Sequence, residues 1–250
     1  MQNRQRFYTS AHGVDDNAVA RIIQKAIDLE NQLDNVSRIV FVAHGLQNSG
    51  WLERQYGTDG AKKLRKGARL PDSSVPAKFE SVKTYRAVDN EILITLGLES
   101  DDILLLDDNF NIITIIALPW LQNSVDKWVR ITNATNIDNN VQAVSFPNPP
   151  CVVIKALEDL TESINMSTGL LHSSDDQLAK TYLRTFNKYG IPLQEIEIES
   201  YLIKQLNWTK EHSNDLLDII NKINNGRSFQ GGDKTGLHYH IKRWKKECGE

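Results

Sequence analysis

Residues 39–45 read Ile-Val-Phe-Val-Ala-His-Gly, and this stretch decides the fold. An unbroken apolar run of β-type residues is typical of a parallel strand that is buried on both faces. Residues 7–13, Phe-Tyr-Thr-Ser-Ala-His-Gly, repeat the pattern of a β-type run that is closed by Ala-His-Gly. Two more runs, 91–97 and 111–118, follow further along the chain, so the sequence predicts at least four strands.

Helical segments separate these runs. Asp15 and Asp16 precede apolar residues at helical spacing, and carboxylates at a helix start are favoured as caps and by the helix dipole. Further helices are predicted at 51–66, 101–106 and 122–133. Strands that alternate with helices at this spacing form βαβ units. We therefore predict an α/β domain, Rossmann-like or flavodoxin-like, with a parallel sheet of four to five strands and helices on both faces.

The chain changes character after this region. Asn and Asp cluster in 136–140, three prolines follow by residue 150, and no convincing strand appears beyond them. Helices are predicted at 152–164, 174–189, 195–206, 209–223 and 235–246. Ser174 and Gln177 predict a capping box, and Gly190 predicts a left-handed stop after the second of these helices. The predicted organisation is an α/β domain at 1–140, a linker at 141–150 and a helical domain at 151–250.

The composition excludes several classes of protein. A net charge of −3 argues against a whole-molecule electrostatic binder of nucleic acid. Cys151 and Cys248 form no CxxC, which indicates neither a disulfide framework nor a cysteine-based zinc site, although one bridge between them stays open. The start of the chain lacks an apolar signal region, and the longest apolar stretch, 112–121, is too short for a membrane helix. We expect a cytoplasmic protein that does not enter the membrane.

Two Ala-His-Gly segments are the main candidates for a functional site. In open parallel sheets ligands bind outside the carboxyl ends of the strands, and His12 and His44 would both lie there. The segment 45–50 has the glycine spacing of a phosphate loop but lacks the Lys and Ser or Thr that would follow, so an ATP-binding P-loop is rejected. The predicted catalytic residues are His12 and His44. The predicted ligand-binding residues at this edge are Gly13, Gly45, Ser49, Gly97 and Trp120.

Two other segments carry hypotheses. The glycine-rich loop 226–236 contains Arg227 and Ser228, which are predicted to help bind an anion. Segment 54–86 holds nine positive and three negative groups, a local balance of 9 − 3 = +6.

The sequence leaves two functions open. The first is binding of, and action on, a nucleotide or another phosphorylated small molecule, without a cofactor or metal site that the sequence can name. The alternative is a non-enzymatic interaction or nucleic-acid-associated protein, which would use 54–86 and the helical domain to contact a nucleic acid or an acidic protein. The sequence predicts no oligomeric state.

Overall fold

A computed structural model describes residues 4–13 and 15–250. The chain divides into two compact units, Met1–Ser145 and Phe146–Glu250. The first unit contains a sheet and helices. The described residues of the second unit form helices only, so each unit is considered by itself.

A seven-stranded, mostly parallel sheet organises the first unit, where the sequence predicts only four to five strands. The strands are β1 (Gln5–Tyr8), β2 (Arg38–Ala43), β3 (Ala68–Arg69), β4 (Pro76–Ser81), β5 (Glu91–Leu96), β6 (Ile112–Leu118) and β7 (Thr135–Asn136). Their order across the sheet is β3-β4-β2-β5-β6-β1-β7. Only β3 runs antiparallel to its neighbour, β4.

The strands that the sequence analysis missed are those without an apolar run. β3 and β7 each contain two residues. β4 begins with a proline, which has no amide hydrogen to donate, and carries Lys78, Glu80 and Ser81. Its residues Ala77 and Phe79 nevertheless point into the core and are completely buried. Pairing with β2, rather than local apolar periodicity, makes this segment a strand.

The described residues of the first unit also form four helices: α1 (Asp16–Gln32), α2 (Gly50–Lys66), α3 (Ser100–Asp107) and α4 (Asp126–Thr132). The predicted start of α1 is confirmed, because the Asp15 carboxylate accepts a hydrogen bond from the Ala18 amide. α1 and α2 pack together on one face of the sheet, where they bury Phe41, Phe79 and Ile94.

The other face of the sheet is also buried. Val40, Leu93 and Ile115 alternate with the residues under α1 and α2, and all three are completely buried. The connection from β5 to β6 runs across the sheet in the opposite direction to that from β1 to β2. Right-handed crossovers therefore put α3 on the face opposite α1, and α4 packs against α3 there. The first unit thus has the three layers that the sequence predicts.

The connection from β4 to β5 contains no helix, although both strands are parallel to β2. A buried polar cluster holds it in place. The Tyr85 hydroxyl donates to Glu91, which is completely buried, and Arg38 Nε donates to the same carboxylate at 2.7 Å. Burial raises the pKa of Tyr85, as does its bond to Glu91. This loop returns the chain to the centre of the sheet.

The second unit consists of α5 (Cys151–Ser163), α6 (Ser173–Tyr189), α7 (Glu195–Lys204), α8 (Lys210–Asn224) and α9 (Leu237–Glu247). Its five helices match the predicted ones to within two residues at nearly every end. Gly190 adopts the predicted left-handed conformation (φ 63°, ψ 28°). The capping box at Ser174 is wrong: α6 begins one residue earlier, after His172, and has no side-chain cap. Phe186, Trp208 and Trp244 fill the core of this unit.

Cys151 and Cys248 form a disulfide, the bridge that the sequence left open. It joins the first residue of α5 to the residue after α9, 97 positions later. The prediction of a cytoplasmic protein stays untested, and disulfides persist mainly in oxidising compartments. Among the described residues no helix is long and apolar enough to cross a bilayer.

Candidate functional site

The strand order creates a switch point in the sheet between β2 and β5. From β2 the chain continues to β4 on one side, whereas from β5 it continues to β6 on the other side. The loops after two such neighbouring strands diverge to opposite faces and leave a crevice between them, and open α/β sheets bind ligands there. The carboxyl ends of β2 and β5 are therefore the expected place for a ligand.

A cleft of about 310 Å³ lies at this point. The loop after β2, the first turns of α2, the end of β5 and the loop after β6 all contribute to it. Small-molecule sites are clefts of roughly 300–1,000 Å³ with mainly apolar walls and a few polar groups. This cleft matches that description, since its walls include His44, Asn48, Trp51, Arg54, Gly97 and Trp120.

Two tryptophans form one wall of the cleft. The rings of Trp51 and Trp120 stack with centroids 5.6 Å apart and an interplanar angle of 24°. Trp51 is buried, whereas Trp120 is 46% exposed, so part of its ring surface faces solvent. Gly97 lies against both rings: a Cβ atom there would come within 3.3 Å of Trp120 Cβ and of the Trp51 ring. Gly97 also has a φ of +69°, which favours glycine.

Arg54 supplies a positive charge to the cleft. Its Nε donates to Asp16 Oδ1 at 2.5 Å, which fixes the guanidinium beside the start of α1. Within the described part of the chain, the two Nη atoms donate no hydrogen bond. A methyl group at Gly50 would be 3.6 Å from Arg54 Nη1, so the cation lies close to the first residue of α2. The amides of the first helical turn carry a partial positive charge at the same place.

His44 lies on the opposite side of the switch point from α2. Its Nε2 is 3.8 Å from Asp102 Oδ2, in the first turn of α3. The imidazole is about half exposed, with 54% of its side-chain surface accessible. The two side chains are within ion-pair range but beyond hydrogen-bond distance. An imidazole can donate or accept a proton, and His44 presents one at the edge of the cleft.

A bend in α2 braces the loop that carries His44. Gly57 has φ 72° and ψ 167°, which breaks the helix into two pieces. In a straight helix residues 49 and 65 would be about 24 Å apart. The bend instead lets Arg65 Nη2 donate to Leu46 O at 2.8 Å and to Ser49 Oγ at 2.7 Å. Residues 44–50 are thus held against the second half of α2.

The structure brings three of the nine predicted site residues to the cleft. His44, Gly97 and Trp120 line its walls. Ser49 is buried beneath the loop, where its hydroxyl donates to Glu53 at 2.6 Å and accepts from Arg65, so it is committed to the fold. Gly45 closes a turn in that loop, and its carbonyl accepts from the Asn48 amide at 3.0 Å.

His12 and Gly13 follow β1, which is not adjacent to β2. β5 and β6 lie between them, so the carboxyl ends of β1 and β2 are separated by three strand spacings, about 14 Å. His12 is exposed and is not among the residues that line the cleft. The Gly13 amide donates to the Trp120 carbonyl at 2.8 Å and thereby supports the loop after β6. A catalytic role for His12 stays a prediction from the sequence.

Arg227 and Ser228 belong to the second unit, in the loop between α8 and α9, and both are exposed. This glycine-rich loop is attached to α6. Arg184 Nε donates to Gly231 O at 2.7 Å, and the Arg184 guanidinium lies 4.3 Å from the centre of the Phe229 ring. Backbone carbonyl groups of this loop therefore accept hydrogen bonds from the Arg184 side chain.

The basic segment 54–86 does not form one structural element. It includes most of α2, then β3, β4 and the loop after β4. Arg54 binds Asp16, Arg65 binds the 44–50 loop, and Lys78 lies 2.8 Å from Glu80. Arg86 donates to backbone carbonyls. At least these four of its nine cations hold parts of the fold together, and the role of the segment in binding a polyanion stays a prediction.

Sequence reasoning missed two important residues of the cleft, Trp51 and Arg54. Trp51 lies at the start of an amphipathic helix and reads as a core residue. Arg54 was counted within the basic segment. The places of Trp51 and Arg54 in the sequence could have identified them as site residues. Both follow a predicted buried strand within about ten residues, and ligands bind at the edge of a parallel sheet where such strands end.

Comparison with known proteins gives one match to a family model, and this match lies within the second unit. Residues 149–245 match the model of a domain of unknown function (DUF1889). The match excludes every residue of the cleft. No curated protein and no solved structure matches the chain. Within the described ranges, 4–13 and 15–250, no group of three or more His, Cys, Asp or Glu residues is arranged to hold a metal ion.

Proposed function

We propose that the first unit is a Rossmann-like domain whose cleft binds a small phosphate-bearing molecule, nucleotides among them. The observation that carries this proposal is the position of the cleft at the switch point between β2 and β5. The strand order differs from the classic Rossmann order, because β1 lies near one edge of the sheet rather than at its centre. The proposed similarity to Rossmann domains therefore concerns the three-layer architecture and the edge of the sheet that binds the ligand, and it does not extend to the strand order.

The charge of the cleft favours an anionic ligand. Arg54 presents its Nη atoms beside the first turn of α2, and Asp16 holds the guanidinium from behind. Arginine side chains and the amides at a helix start both bind phosphate in proteins. Their combination here supports a phosphate subsite at Gly50 and Arg54.

His44 is the proposed proton donor or acceptor if the protein acts on its ligand. Its imidazole lies beside Asp102 and lines the same cleft as Arg54. The 3.8 Å between His44 Nε2 and Asp102 Oδ2 is longer than the hydrogen bond that orients a general base, so the assignment rests on the position of His44 in the cleft. The geometry defines no reaction, because the described residues around His44 offer no serine or cysteine nucleophile as a cleft wall. Ligand binding is accordingly the activity to test first.

The test is the binding of inorganic phosphate, sugar phosphates and nucleoside monophosphates to the full chain, measured by calorimetry. We expect Arg54→Gln to weaken binding about tenfold or more, because a hydrogen bond to a charged group contributes ~1.5–3 kcal/mol. Asp16→Asn is the matched control: it removes the partner of Arg54 but leaves the cation, and it should retain most of the affinity.

Two results would contradict the proposal. If no phosphate-bearing compound in the panel binds the unmodified protein, the cleft is not a phosphate site. If Arg54→Gln binds phosphate compounds as tightly as the unmodified protein, Arg54 does not bind the phosphate.

A further inference from the structure

The stacked tryptophans give the cleft a surface that a phosphate subsite does not need. Trp51 and Trp120 stack at 5.6 Å, and Trp51 is buried behind Trp120, which is 46% exposed. Nucleobases stack on exposed aromatic rings of this kind because every base has a π-face. The Trp120 ring is thus a preformed platform for a planar group.

Gly97 fixes the position of this platform. A side chain at Gly97 would come within 3.3 Å of both tryptophans, so glycine lets the two rings approach the end of β5. A buried ring that supports an exposed one loses little mobility when a ligand binds, because both are already packed. The platform is therefore built before any ligand arrives.

Trp51, which supports the platform, and the cation Arg54 are neighbours on α2. Trp51 and Arg54 are three residues apart, a spacing that puts two side chains on the same side of a helix. Both line the cleft together with Trp120. A sugar phosphate would use Arg54 but would leave the Trp120 ring uncovered, whereas an uncharged aromatic molecule would leave the Arg54 Nη atoms without an acceptor. A molecule that carries both a planar ring and a phosphate satisfies both.

We infer that the ligand of the cleft is a mononucleotide, with its base stacked on Trp120 and its phosphate at Arg54 and the first turn of α2. This inference rests on the proposed function and adds the chemical class of the ligand. The size of the cleft agrees, because about 310 Å³ lies at the lower end of the roughly 300–1,000 Å³ range of small-molecule sites. A dinucleotide would need a larger cleft.

The experiment compares two ligand classes with three forms of the full chain. The ligands are the four common nucleoside 5′-monophosphates and ribose 5-phosphate, which lacks the base. The proteins are the unmodified chain, Trp120→Leu and Trp120→Phe. We expect the best nucleotide to bind the unmodified protein about tenfold or more tightly than ribose 5-phosphate does, since base stacking on an aromatic ring contributes an effect of that order.

Trp120→Leu should abolish this preference while it retains the affinity for ribose 5-phosphate. Trp120→Phe should keep part of the preference, because phenylalanine also offers a ring. Circular dichroism checks that both variants are folded. If Trp120→Leu is not folded, the inference is tested by comparing the affinities of the two ligand classes for the unmodified protein and for Trp120→Phe.

The outcomes separate the inference from the proposed function. If ribose 5-phosphate binds the unmodified protein as tightly as every nucleotide, the phosphate site stands and the mononucleotide inference is wrong. The same holds if the preference for a nucleotide persists undiminished in Trp120→Leu. If neither ligand class binds, the proposed function fails, and the inference fails with it.

Discussion

Replacing Gly97 with alanine tests how the aromatic wall of the cleft is built. Gly97 has a φ of +69°, and a methyl group there would lie 3.3 Å from both Trp120 Cβ and the Trp51 ring. A positive φ costs a non-glycine residue ~1–2 kcal/mol, and overpacking costs a further ~1–3 kcal/mol. We expect Gly97→Ala to lower the free energy of unfolding of the first unit by about 2–5 kcal/mol.

Gly13→Ala is the matched control in the same unit. Gly13 also has a φ of +69°, but an added methyl group would meet only the Trp120 carbonyl oxygen, at 3.9 Å, which is an ordinary van der Waals contact. Its expected cost is the conformational one alone, ~1–2 kcal/mol. The entropy that alanine removes from the unfolded chain is the same in both variants and cancels in the comparison.

Urea denaturation followed by fluorescence and near-ultraviolet circular dichroism measures both effects. Gly97→Ala should lose about 1–3 kcal/mol more than Gly13→Ala and should change the near-ultraviolet signal of the stacked tryptophans. Equal losses in the two variants, with an unchanged aromatic signal in Gly97→Ala, would refute the argument that Gly97 packs against this pair.

Two further predictions concern stability. The Cys151–Cys248 bridge closes a loop of 97 positions, so reduction should lower the unfolding free energy of the second unit by about 4–5 kcal/mol. The variant in which both cysteines are replaced by serine should not respond to reductant; if the melting temperature of the unmodified protein does not respond either, the cysteines are not paired. Burial raises the pKa of Glu30, but hydrogen bonds from residues 73–75 outweigh it and hold that pKa below its ordinary value. Glu30 therefore stabilises the fold above its ordinary pKa, and this stability is lost as the pH falls through the lowered pKa. Glu30→Gln should cost ~1–3 kcal/mol at neutral pH and much less at pH values below the lowered pKa. Asp28→Asn, on the exposed side of the same helix, should cost little at either pH; a cost for Glu30→Gln that does not change with pH would contradict this.

Local sequence patterns were sufficient for the elements whose cause is local. The apolar runs of β2, β5 and β6, the Asp15 cap and the left-handed Gly190 were all predictable. Each depends on a side chain and its close neighbours in the chain. The five helices of the second unit follow from helical periodicity in the same way.

Pairing between distant segments decided the rest of the fold. β4 has no apolar run, and its strand conformation depends on its hydrogen bonds to β2. The place of β1 beside β6, rather than beside β2, also follows from non-local pairing. This order separates His12 from His44. The similarity of their two segments had suggested that both histidines would lie at one site.

The sequence alone predicted a ligand site at the carboxyl edge of the sheet and included His44, Gly97 and Trp120 among its residues. Only the tertiary structure decided that the crevice opens between β2 and β5 and that Trp51 and Arg54 line it with them. It also paired Cys151 with Cys248. The physical reason is that periodicity and capping report on the nearest turns of the chain, whereas strand order, ring stacking and disulfide pairing depend on segments tens of residues apart.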